Sequence, residues 1–368
     1  MHYKTRKLTV ATLTLIGLLC LISPFSHALT QEQWRAFNLQ TVDHYILPAY
    51  QSLAIKAQQL KQASQTVCKD PKNNSAENLA STRLAFHETM DAWQHIQNVQ
   101  FGPIQILMRN YSMQFWPDKK NHVSKQLAQL LSSQDPQALS DAEFHKASVS
   151  IKGLPAIERF LFEQDASQAL LEKPFHCQVL MRIATYTAES AQAIANEWQE
   201  MKQHFVDTQQ EDSYFEDDMD AAISLLKSLI EPIEVIRDLK LLRPMGSEFG
   251  QQRVTRLESW RSERSLRNIQ LNIASLWQLY QGTDSETERG GLSALLDQQT
   301  HASIKEQFAL LQQQLATIPD PIEQSMETRE GYAALAEMSQ SLKALHEQLE
   351  SAVAGLGLHL GFNSRDGD

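Results

Sequence analysis

ASVSIKGLPAIERFLFEQ, residues 147–164, joins a helix-start signal to an acid set among apolar side chains. Gly153 can take backbone angles closed to residues that carry a Cβ. Pro155 suits the first turn of a helix, where its missing N–H leaves no bond unmade. A helix beginning near Leu154 is therefore expected, with Glu158 close to its positive end and Ile157, Phe160, Leu161 and Phe162 around it. Two readings stand at this point. The carboxylate either satisfies its own helix start or faces a site.

Outward from this stretch, the 3.6-residue apolar rhythm covers nearly every long segment. It predicts helices over Gln31–Gln65, with a bend at Pro48, and over Ala76–Gln97, His122–Ser132, Pro174–Thr208, Ala221–Leu242, Ser262–Tyr280, His301–Ala316 and Pro321–Ala354. Strand signals are almost absent. The expected fold is all-α, with two helical-bundle-like units packed together. The acidic run EDSYFEDDMD, residues 211–220, marks the expected divide, giving an N-terminal unit over 29–210 and a C-terminal unit over 211–368.

The first 28 residues read as a secretory signal. Lys4, Arg6 and Lys7 precede a largely apolar run, and Ser26-His27-Ala28 places small residues at a cleavage site. Lipid attachment at Cys20 and an uncleaved membrane anchor are the weaker readings. The mature chain is expected to be exported, most simply to a bacterial periplasm, with membrane association as the variant. The chain holds 33 basic and 44 acidic residues. Without the three leader cations the balance is 30 to 44, a formal charge of −14. Such a chain disfavours nucleic acid and suits cationic ligands or metal ions. Cys68 and Cys177 survive cleavage, and an oxidising compartment permits a disulfide between them.

Several motifs spread over the mature chain carry a resemblance. GLPAIERFLF (153–162), YSMQFWPDKKN (111–121), SERSLRNIQLNIASLWQLYQG (262–282) and the terminal GFNSRDGD (361–368), with Asp366 and Asp368, resemble segments of the imelysin-like family, in its iron-regulated, lipoprotein-like branch. The resemblance implies an all-helical, exported or envelope-bound protein linked to iron uptake. Some relatives were grouped with metallopeptidases on a Gly-x-His-x-x-Glu motif. Here Gly153 and Glu158 match that motif, but the histidine position is Pro155, which has no ligand atom. Protease chemistry needs about three protein ligands, an open position and a base, and this departure removes one of them.

Candidate site residues follow. Glu158 is expected on one wall of a cleft between the units, with Arg264, Arg267 and Asn268 on the other and Arg109, Trp116 and Asp118 at the rim. The competing reading pairs these charges as structural scaffolding. His87, Asp91 and His95 share a helix face at four-residue spacing and form a weaker metal candidate, equally readable as a polar helix face. Met108, Met113 and His122 are candidate haem axial ligands, without a CxxCH attachment. The leading expectation is a non-catalytic periplasmic ligand-binding or accessory protein linked to iron uptake. It would take a small ligand, iron or another metal ion, and an envelope or outer-membrane uptake protein as partner. A zinc-dependent metallopeptidase and a structural or partner-binding envelope protein are the alternatives.

Overall fold

The computed structural model describes residues 29–69, 76–282 and 291–361. The leader, Asp366 and Asp368 lie outside the described residues. Within them the chain is helical and contains no strand.

Helix α1 is a continuous rod built from Gln31–Thr41, a π-helical turn Val42–Ile46 and Leu47–Lys69. Thr30 and Gln33 close a capping box at its start. Pro48 cannot donate to the carbonyl four residues before it. The π turn, in which Leu47 N–H bonds Val42 O, absorbs that defect where a bend is expected from sequence. Helix α2 (Ala76–Ile96), α3 (His122–Ser133), α4 (Gly153–Phe162) and α5 (Pro174–Val206) follow. Leu47–Lys69 packs between α2 and α5, and α4 lies across both. Cys68 and Cys177 form a disulfide, with their Cα atoms 5.5 Å apart, so the end of α1 is tied to the start of α5.

Helix α6 comprises Asp218–Glu234, a π-helical segment Val235–Leu242 and Arg243–Met245. Pro232 interrupts it and leaves the Ser228 carbonyl without its helical donor. Asn98 Nδ2 supplies the missing bond at 3.1 Å, and Asn98 Oδ1 accepts from the buried Tyr45 hydroxyl at 2.7 Å. Helices α7 (Ser265–Gln281), α8 (Gln298–Thr317) and α9 (Arg329–Gly355) complete the chain. The expected helix Pro321–Ala354 divides at Thr328, whose hydroxyl caps α9 through Gly331 N–H at 3.1 Å.

Asp218–Glu234 packs on Gln31–Thr41 and on α9, while α8 lies between α9 and α7. Helix α7 in turn packs on α2. Apolar side chains from both halves of the sequence form one buried cluster, including Trp34, Trp93, Trp198, Phe86, Phe205 and Phe308. The first helix therefore serves elements on both sides of the acidic run.

Candidate functional site

Helix α4 begins where Gly153 takes φ +70°, and the Gly153 Cα lies so close to the 112–113 backbone that an added Cβ would stand 2.2 Å from Ser112 O. Only glycine meets both conditions. The contact sets α4 against YSMQFWPDKKN and places Glu158 on the floor of a cleft of about 610 Å³. One wall comes from residues 114–123, and the other from Arg243 and residues 255–261. The Trp116–Pro117 peptide bond in the first wall is cis.

Glu158 is 5% exposed. Its Oε1 accepts from Ser262 N–H at 3.0 Å and from the Ser262 hydroxyl at 2.5 Å. Oε2 has no hydrogen-bond partner among the described residues. The carboxylate is therefore held by a distant turn, and the reading in which it merely satisfies its own helix start is replaced. That turn, Trp260–Ser262, is flanked by Ser259 and Glu263 at φ 53° and 54°, a left-handed conformation uncommon outside glycine. Burial pushes the Glu158 carboxyl above its ordinary range, while Ser262, Arg261 and Arg159 oppose the shift.

Of the residues expected in the cleft, Glu158, Trp116 and Asp118 line it together with Pro155, and four others do not. Arg109 forks onto Glu197 at 2.5 and 2.8 Å. Arg264 and Arg267 both bind Asp91, and Arg264 also donates to His87 Nδ1 at 3.1 Å. Asn268 is buried and donates to Glu258 at 2.8 Å. Arg264 and Arg267, at the start of α7, point back across α2. The turn just before α7 carries the cleft residues instead.

The weaker metal candidate, His87, Asp91 and His95, is not arranged as a ligand set, and the polar-helix-face reading of these residues stands. Asp91 pairs with two guanidinium groups, and one of them, Arg264, also donates to His87 Nδ1, so both side chains are already engaged by cationic donors. His95 packs its ring against Tyr45, 5.6 Å between centroids. Among the described residues no group of three or more His, Cys, Asp or Glu side chains is arranged to hold a metal ion. Met113 is buried in the core while Met108 is exposed, and none of Met108, Met113 and His122 lines the cleft. A zinc or ferric ion does not fit the donor set at Glu158 either. Among the described residues no imidazole lines the cleft, and the other acid there, Asp118, is turned to the start of α3, accepting from His122 N–H at 2.7 Å and Val123 N–H at 2.9 Å.

Beneath the cleft lies a buried polar network that sequence reading missed. Lys240 is 3% exposed and Glu258 2%, and they pair at 2.7 Å. Lys240 also donates to Gln94 at 2.9 Å and Asn272 at 2.6 Å, while Glu258 accepts from Gln114 at 3.0 Å. Burial lowers the Lys240 pKa, and Glu258 opposes that shift. The ammonium lies 6.0 Å from the Trp116 ring centroid. Asn268 and Asn272, four apart on an otherwise apolar face of α7, were the sequence signal for it. Every charge in this pair is satisfied, so it ties α2, α6 and α7 to the wall of the cleft.

These features define an all-helical protein with a polar cleft between segments distant in sequence. A family model described as Imelysin (Peptidase_M75) matches residues 46–349. The chain belongs to the imelysin family. It is 27% identical over 325 residues to Iron-regulated protein A of Synechococcus elongatus, covering 86% of this chain and 84% of that protein. Its fold is similar to that of an imelysin-like protein from Psychrobacter arcticum, with a TM-score of 0.74 and 20% identity over 91% of this chain and 98% of the other. A second similar structure, from Parabacteroides distasonis, has a proposed identity as an iron-regulated protein A precursor. There the TM-score is 0.71 and the identity 18%, over 88% of this chain and 96% of the other.

Proposed function

We propose that this imelysin-family chain is an exported, non-catalytic ligand-binding or accessory protein of iron uptake, and that the cleft over Glu158 is its ligand site. The observation that carries the reading is the cleft itself. Its volume of about 610 Å³ falls in the range of small-molecule sites, and a buried carboxylate on its floor keeps one oxygen free. The link to iron is supported by the name of the Synechococcus relative. Export to the periplasm is supported by the leader signal in residues 1–28 and by the word precursor applied to the Parabacteroides protein. An envelope uptake protein is the partner this reading implies. The peptidase alternative gains no support from the residues around Glu158, which lack the imidazole ligands such chemistry requires.

The test uses the mature chain. Trp116 and Trp260 line the cleft and report on it by fluorescence. Ferric citrate, haemin and zinc chloride are titrated separately into the native protein and into Glu158→Gln. Saturable binding of at least one probe, weakened about tenfold by the substitution, is expected. Absence of saturation with all three sinks the reading.

A further inference from the structure

The charge in the cleft runs opposite to the charge of the chain. Among the described residues Lys119, Lys120, Arg159, Arg243, Arg256 and Arg261 line it, against Asp118 and Glu158. Six cations and two acids give a formal +4 in a protein of net −11. The expectation that acidity suits cationic ligands therefore fails locally, because net charge says nothing about where charges are placed.

The acids present do not cancel these cations. Asp118 spends both oxygens on the start of α3. Glu158 spends one on Ser262. Arg159 and Arg261 share Glu163, at 3.1 and 2.8 Å, and Arg261 also lies over the Trp260 ring at 4.1 Å. Arg243 and Arg256 are different. Among the described residues neither has a carboxylate partner, and the guanidinium of Arg256 reaches only the Arg243 carbonyl, at 3.4 Å. Burial, and after it the Arg256 charge, disfavour the charged form of Arg243. Two like charges placed together without a counterion raise the local potential, and cleft walls concentrate it. Guanidinium groups match carboxylate and phosphate in geometry, through paired N–H donors.

Resting on the ligand-site reading above, we propose that the cleft takes a small multivalent oxyanion, one of whose carboxylate or phosphate groups binds at Arg243 and Arg256. A metal would then enter already wrapped in an anionic chelator, whose acids supply the ligands the cleft lacks. Glu158 Oε2, on the floor, is left to contact a polar group at the far end of the same ligand.

Calorimetry tests this with trisodium citrate and with sodium phosphate, titrated separately into the native mature chain, Arg243→Gln/Arg256→Gln and Lys119→Gln/Lys120→Gln, at low and at high salt. Saturable citrate binding is expected, weakened about tenfold or more by the arginine substitutions, less by the lysine ones, and weakened by salt. Thermal melts of the arginine variant are expected to match the native protein. Phosphate binding as tightly as citrate identifies phosphate as a sufficient group, and citrate alone identifies a carboxylate ligand; both outcomes uphold the oxyanion. No saturation by either anion overturns the proposal, as does undiminished affinity in the arginine variant or an equal loss in the lysine variant. Binding of haemin or zinc that needs Glu158 but ignores the arginines would overturn the oxyanion and leave the ligand site standing.

Discussion

Ser262 donates both its backbone N–H and its hydroxyl to one oxygen of Glu158, across 104 positions of sequence. The pair joins α4 to the turn before α7, and so closes the floor of the cleft onto its wall. It also decides which oxygen of Glu158 is free. Two hydrogen bonds orient the carboxylate, and among the described residues it has no ion pair of its own.

Glu158→Gln separates a binding role from a structural one. The amide oxygen of glutamine can still accept from Ser262. The folded-state pKa of Glu158 is raised, so its contribution to stability is fully present below the ordinary value of 4.5 and is lost as pH rises through the folded pKa. The variant is expected to lack that loss. Its unfolding temperature at pH 7 should equal or exceed the native one, while ligand affinity falls. Circular dichroism melts from pH 4.5 upward check this, and a clearly lower melting temperature at pH 7 would favour a scaffolding role.

His87 responds in the opposite sense. Burial, followed by the Arg264 charge, pushes its pKa down from 6.5 to about 4, with Asp91 opposing. The unfolded chain thus takes up the proton first as pH falls. The stabilisation from keeping His87 neutral is complete above pH 6.5 and is lost between there and about pH 4. Chemical denaturation of His87→Gln across this window should show a shallower decline in stability than the native protein.

Gly153→Ala should be strongly destabilising. The left-handed conformation alone costs about 1–2 kcal/mol for a residue with a Cβ. Overlap with the Ser112 and Met113 carbonyls, at 2.2 and 2.3 Å from the new carbon, adds to it. Urea denaturation measures the loss, and a variant of native stability would show that α4 does not sit against residues 112–113 as described.

Lys240→Met strips the buried Glu258 of its counterion and should cost about 3–5 kcal/mol. Adding Glu258→Leu should recover part of that loss, because the unpaired charge is gone. A double-mutant cycle by denaturant titration gives the coupling, and strictly additive losses would contradict the pairing.

Removing the Cys68–Cys177 link releases a closure spanning 109 positions and should cost about 2–5 kcal/mol. Melts with and without dithiothreitol, beside Cys68→Ser, provide the measurement. An unchanged unfolding temperature on reduction would mean that the bond does not form in the mature protein.

Some of this was legible beforehand because it is local. Apolar periodicity specified the helices, Pro48 marked an irregular turn, and Gly153 marked a position that needs a missing Cβ. The arginines were misplaced for a definite reason. Arg264 caps the start of α7 and Arg267 lies in its first turn, and that start orients both to Asp91. Arg261, only three residues earlier, lies in the turn and lines the cleft. Lys240 was hidden by the π segment, whose i to i+5 bonding shifts the helical phase on which the 3.6-residue reading depends.

The amino-acid sequence by itself determined an all-helical chain, its imelysin kinship and the glycine that seats α4, because backbone preference and hydrophobic spacing act within a few residues. Only the tertiary structure decided that Glu158 meets Ser262, that Arg243 and Arg256 stand together with no counterion among the described residues, and that Lys240 is buried on Glu258. Those relationships depend on how helices far apart in the chain are rotated and stacked, and no short-range rule carries that information.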